Sequence, residues 1–270
     1  MKFGINHWTF PTDLSLQESF ALASRVGCDH IEVNLAEKGE LSLESSEAEV
    51  RTLAQQARSA GIEISSLSTG LAWGNPGTSN DPAIRARALE ILEKQLETAR
   101  WLGVDTILVV PGSVTPDVSY DVAYDRAREM VSRALPKARE TGVCIAIENV
   151  WNRFLLSPLE MRTFVDSFQD PMVGVYFDAG NILAYGYPQH WIRILGKRIR
   201  RLHVKDFDDK VGGWAGFRNL LQGNVPWKDV RSALQEIGYD GFITAEVSGY
   251  PDYPEIGLRH IVECLRAALG

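Results

Sequence analysis

Short β-branched runs alternate with long amphipathic stretches from one end of this chain to the other, and that alternation leaves few folds open. Eight runs are legible: "KFGINHW", "HIEVNL", "EISSLSTG", "TILVVPG", "CIAIENV", "VGVYFDAG", "RRLHVKD" and "FITAEVSG". Helical patterns such as "SEAEVRTLAQQARSAG", "IRARALEILEKQLETARWLG" and "WKDVRSALQEIGYDG" separate them. Gly27, Gly61, Gly103, Gly142 and Gly238 stand where a helix ends in the left-handed conformation, which glycine adopts without a Cβ penalty. Strands alternating with helices pair in parallel through right-handed crossovers. Eight such units in 270 residues predict one closed α/β barrel, (β/α)8, spanning residues 1–270. The rival, a doubly wound open sheet, carries a Gly-rich phosphate turn after its first strand; this chain has "NHWTFPTD" there. No Gly-, Ser- or Pro-rich linker divides it.

Charge and cysteine content narrow the partners. The net charge is -7 and no Lys/Arg cluster is dense enough to track phosphates, so nucleic acid is not an expected partner. The opening "MKFGINHWTF" lacks the apolar stretch and small-residue cleavage site of a signal peptide. No segment approaches the roughly 18 uninterrupted apolar residues that a membrane span requires, so no membrane association is expected. Cys28, Cys144 and Cys264 have neither metal nor redox spacing and read as buried thiols in a reducing cytoplasm.

In such a barrel the active site lies at the C-terminal ends of the strands. The fifth run ends at Glu148, the sixth at Asp178, the seventh at His203 and the eighth at Glu246. A charge after a row of apolar residues is expensive unless it is paired or bound to a metal. One such acid reads as a salt bridge; four consecutive strands ending in possible ligands read as a metal site. Neighbouring strands lie about 4.8 Å apart, close enough for four ends to converge on one cation. Three carboxylates and one imidazole favour Mn²⁺ or Mg²⁺, with Co²⁺ or Zn²⁺ acceptable. A His–carboxylate network without metal is the alternative.

With these residues in this order, the chain resembles the xylose isomerase-like sugar isomerases and epimerases over its whole length. "DAGNILAYG", then "LHVKD", then "GFRNLLQGNVPW" are most similar to the L-ribulose-5-phosphate (L-xylulose-5-phosphate) 3-epimerase branch. The resemblance implies that Glu148, Asp178, His203 and Glu246 hold a divalent metal, and that Glu148 and Glu246 are also the two acid/base carboxylates. Two positions depart from the tagatose-type epimerases. Asn181 stands where they carry a His, and Leu155 and Leu156 follow "NRF" where they carry an acid. Contacts to sugar hydroxyls are therefore not transferred from them. The implied activity is metal-dependent 3-epimerisation of a ketose, expected to be phosphorylated, through an enediolate that the metal stabilises. Aldose–ketose isomerisation and dehydration of a keto-polyol use the same metal site. An endonuclease IV-like phosphodiesterase needs more His ligands than this chain offers with five His in all. A non-catalytic sugar-binding barrel is the reading outside enzymology. The resemblance also implies a homodimer or higher homo-oligomer.

Other residues at the expected mouth read as substrate contacts. Arg218, in the Gly-rich stretch after the seventh run, suits a phosphate, and its alternative is a solvated loop arginine. Lys205 is expected either to neutralise substrate or to pair with Asp206 or Asp208. His7 is expected to face the mouth, in which case Asn6 cannot, because strand residues alternate. Asn181 is a further candidate substrate contact. Glu32 reads equally as a partner to the ligands or as a polar barrel-layer residue. Trp8, Trp73, Trp151 and Trp214 are placed to wall a pocket.

Overall fold

The computed structural model describes residues 1–270. Eight parallel strands close into a barrel: β1 (Lys2–Asn6), β2 (His30–Asn34), β3 (Glu63–Ser68), β4 (Thr106–Val109), β5 (Cys144–Glu148), β6 (Val173–Asp178), β7 (Ile199–Val204) and β10 (Phe242–Ala245). Each pairs with its successor, and β10 closes on β1 with Phe3 opposite Ile243 and Ile5 opposite Ala245. Eight helices surround it: α1 (Leu16–Arg25), α2 (Glu47–Ser59), α3 (Pro82–Leu102), α4 (Tyr120–Thr141), α5 (Pro158–Asp166), α6 (Pro188–Leu195), α7 (Trp227–Glu236) and α8 (Pro254–Leu269). Two short strands, β8 (Asp206–Phe207) and β9 (Phe217–Arg218), form an antiparallel ribbon inside the connection from β7 to α7.

Local chemistry sets the helix ends. Ser15 with Glu18, and Ser46 with Glu49, form reciprocal capping boxes that satisfy free N–H groups at the starts of α1 and α2. The five glycines read as helix ends all have positive φ, between 70° and 87°.

The strands alternate in a way that decides where function sits. Ile31 and Val33 of β2, Val175 and Phe177 of β6, and Leu202 and Val204 of β7 belong to the apolar core that includes helix residues such as Leu53, Phe164 and Ile192. With a period of two, the intervening residues face the barrel interior. They are His30, Glu32, Tyr176, Asp178, Arg201 and His203, all buried. Glu148 shares that parity on β5, where Ile145 and Ile147 join the apolar core. Glu246 shares it beyond β10, one residue past the buried Ala245. The three cysteines are buried and unpaired, and no helix is long and apolar enough to cross a membrane.

Candidate metal and active site

The four strand-end residues meet. One ligand atom from each of Glu148, Asp178, His203 and Glu246 lies within 4.8 Å of the others. Register brings them together: Asp178 pairs with His203 across β6 and β7, and the Glu246 N–H donates to the Val204 carbonyl at 3.1 Å. The Nδ1 of His203 is 3.6 Å from Glu148 Oε1 and 3.6 Å from Glu246 Oε2.

Glu32 determines which nitrogen of His203 faces this cluster. His203 Nε2 lies 2.6 Å from Glu32 Oε1, and the Glu32 carboxylate also accepts from Ser66 Oγ at 2.6 Å, Tyr176 OH and Asn6 Nδ2. Burial alone would raise the Glu32 carboxyl; the His203 charge and the hydrogen bonds from His203, Ser66 and Tyr176 outweigh it and bring it down to about 2. A charged carboxylate only accepts hydrogen bonds, so Nε2 donates to Glu32 whether the ring is charged or neutral, and Nδ1 is the nitrogen left toward the cluster. Nδ1 is buried without a hydrogen-bond partner and is aimed at the two glutamates. An imidazole nitrogen left unpaired among three carboxylates is what a divalent ion would complete, so this donor set fits a metal. Glu32 is the carboxylate behind the histidine.

The two glutamates are tuned apart. Burial, reinforced by Glu246, pushes the Glu148 carboxyl up to about 7 against the pull of His203 and Lys205. Burial also opposes ionisation of Glu246, but the charges of Lys205 and His203 win and lower it. Lys205 itself is 2.7 Å from Asp178 Oδ2 and ion-paired with Glu246 Oε2. The pairing expected with Asp206 or Asp208 is not formed. Asp206 accepts from the N–H groups of Phe207 and Val225 and from Trp227 Nε1, and Asp208 stands 3.7 Å from Arg218.

Above the cluster opens a cavity of about 660 Å³ with Glu148, Glu246, Lys205 and Asn181 in its lining. Trp8, Trp73 and Trp214 form apolar walls, and Arg218, Asn219, Gln222 and Ser248 bring polar groups. Trp151 stands behind the wall, packed on Trp214 at 5.2 Å and Phe217 at 4.9 Å between ring centroids. Asn181 is buried. Its N–H donates to Asp178 Oδ1 at 2.9 Å and its side-chain amide to the Asn149 carbonyl at 3.0 Å, so it holds Asp178 as well as lining the cavity. Arg218 spends one nitrogen on its own loop, Nη1 donating to the carbonyls of Ala215 and Phe217.

His7 departs from expectation. β1 ends at Asn6, and His7 begins a 3-10 turn that breaks the strand alternation. Its Nε2 lies 3.1 Å from Ser19 Oγ on α1 and its ring stacks on Phe10, outside the cavity lining. Asn6 takes the inward place and bonds to Glu32. Tyr176, Ser66 and Asn149 were not singled out from sequence. The signal for Tyr176 was its place two residues before Asp178, on the same strand face.

The model of the xylose isomerase-like TIM barrel family matches residues 20–268. The chain belongs to this family. Among its relatives, SgbU of Escherichia coli K12, provisionally designated an L-ribulose-5-phosphate 3-epimerase, is 29% identical over 260 residues, 91% of this chain and 88% of that protein. The L-ribulose-5-phosphate 3-epimerase UlaE of Salmonella paratyphi A is 24% identical over 246 residues, 89% of this chain and 85% of that protein. Similar solved structures include a D-tagatose 3-epimerase-like protein, with TM-score 0.82 and 22% identity over 99% of this chain and 98% of that one. D-psicose 3-epimerase solved in the presence of D-fructose gives TM-score 0.80 and 22% identity over the whole of both chains. At that identity the structural likeness is one of fold. By name, SgbU, provisionally, and UlaE are sugar epimerases, which are isomerase-class enzymes.

Proposed function

We propose that this chain is a divalent-metal-dependent ketose 3-epimerase acting on a ketose phosphate. The observation that carries the reading is the pair Glu148 and Glu246, two carboxylates each 3.6 Å from the unpaired Nδ1 of His203 at the base of a tryptophan-walled cavity. The names of the 3-epimerase relatives SgbU and UlaE add to it. Glu148, Asp178, His203 and Glu246 would hold a divalent ion, manganese or magnesium by the hardness of the set, which when bound would supply the positive charge to polarise a ketone carbonyl.

The chain's own groups do the rest. One glutamate takes the proton from C3 as the C–H electron pair moves toward the carbonyl oxygen. The other returns a proton to the opposite face, inverting C3; the two exchange roles for the reverse epimer. Asn181 holds Asp178, and Glu32 holds the imidazole. Trp8, Trp73 and Trp214 exclude water from the reacting carbons and offer faces to sugar C–H groups. Arg218, Asn219 and Ser248 suit the phosphate end of the substrate.

The deciding experiment is proton exchange. Mn²⁺-loaded protein in D₂O is given L-ribulose 5-phosphate and, separately, L-ribulose, and C1 and C3 are followed by NMR. Deuterium entering C3 together with the C3 epimer is expected, faster for the phosphate. Label at C1 or C2 of an aldose product would make the chain an aldose–ketose isomerase instead, and no exchange in either sugar would remove the epimerase reading.

A further inference from the structure

The position of Lys205 is not explained by a substrate contact alone. It is the first residue past β7, and its ammonium reaches back into the cluster rather than out to solvent. It pairs with two particular oxygens. Asp178 Oδ1 accepts from the Asn181 N–H, and Oδ2 lies 2.7 Å from Lys205 Nζ. Glu246 Oε2, the other partner of Lys205, is also the oxygen facing His203 Nδ1. The ammonium thus engages oxygens of two of the carboxylates that would hold a divalent ion. Packing supports the placement: Gly180 lies so close that a Cβ there would meet Lys205 Cγ at 2.6 Å and the Lys205 carbonyl oxygen at 2.5 Å. The absence of a side chain at residue 180 gives the lysine stem its passage.

We propose that Lys205 is an internal counter-cation that neutralises the cluster when no metal is bound and competes with the metal for Asp178 Oδ2 and Glu246 Oε2. Loading then requires the ammonium to give up these two oxygens, and because Lys205 lines the cavity, its way out is toward bound substrate. The competition makes the apparent metal affinity weaker than the ligand set alone would give, while protecting three buried acids from mutual repulsion in the metal-free protein. This rests on the metal-site reading above but not on the choice of reaction.

The test is direct titration with Mn²⁺ of wild type and Lys205→Met, read by calorimetry, beside thermal unfolding of both metal-free proteins. Lys205→Met is expected to bind Mn²⁺ at least about tenfold more tightly, and to unfold about 5 °C or more below wild type when metal-free. Should the metal-free variant not fold, chelator competition on both Mn²⁺-loaded proteins gives the same comparison, with slower loss of Mn²⁺ from Lys205→Met expected. Equal or weaker Mn²⁺ binding by the variant would overturn the exchange while leaving the metal site standing. No Mn²⁺ binding by either protein would overturn the metal site itself.

Discussion

At the scale of single residues, His203 was legible as a member of the strand-end cluster because it ends an apolar run in step with three acids on neighbouring strands. The partner that fixes its tautomer was only half legible. Glu32 sits mid-strand on β2, and nothing local in "HIEVNL" says whether it meets a histidine three strands away or a barrel-layer hydroxyl; in the structure it meets both. His7 misled for a comparable reason. Period-two reading assumes the strand continues, and β1 stops one residue earlier, where Asn6 caps the following turn through the Trp8 N–H. The role of Glu32 yields a prediction. In Glu32→Gln the carboxylate that fixes the Nε2 proton is lost, and the amide accepts more weakly. Mn²⁺ affinity is expected to fall roughly 10- to 100-fold, measured by calorimetry, with the circular dichroism of the fold retained. An unchanged affinity would reduce Glu32 to a packing residue.

At the scale of elements, the eight strands could be read as short β-branched runs and the helices between them from their amphipathic pattern. The β7–α7 connection could be read only as a Gly-rich loop with an arginine. Its ribbon consists of two-residue strands, too short to show any period, pairing Asp206 with Arg218 and Phe207 with Phe217. That pairing places Phe217 against Trp151 and carries Trp214 to the rim of the cavity, where it is 70% exposed. Arg218 lies on the same ribbon, with Nη1 committed to loop carbonyls and Nη2 3.7 Å from Asp208. If its free edge receives the substrate phosphate, Arg218→Ala is expected to raise KM for the ketose phosphate about tenfold or more, the scale of one charge-assisted hydrogen bond, and to leave KM for the free ketose unchanged. An equal rise for both sugars would show that the arginine only braces the ribbon.

At the scale of the whole molecule, closing the barrel depends on a seam that the pattern of runs does not reveal. β10 joins β1, and β1 joins β2, so the first and last strands must be held in register by something other than chain connectivity. His30 of β2 reaches past β1 to place Nε2 3.2 Å from the Ile243 carbonyl of β10. It crosses over Gly4, where a Cβ would meet the ring nitrogen Nδ1 at 2.5 Å, so the contact requires glycine at that point of β1. Burial lowers the imidazole pKa to about 4 despite the bond to Ile243 and the nearby charge of Glu32. The unfolded chain, with a histidine pKa of about 6.5, binds this proton more readily than the folded barrel does. The neutral His30 contribution is therefore complete above about pH 6.5, is lost as the pH falls from there toward 4, and changes no further below that. It amounts to on the order of 3 kcal/mol across the window. Other acids also titrate in that range, so the informative quantity is the difference between wild type and His30→Gln, which keeps a donor and removes the titration. Urea unfolding of both proteins at several values from pH 7 to 4 is expected to show wild type losing stability faster than the variant. A difference that stays flat with pH would mean that the seam histidine is protonated as easily in the folded barrel as outside it.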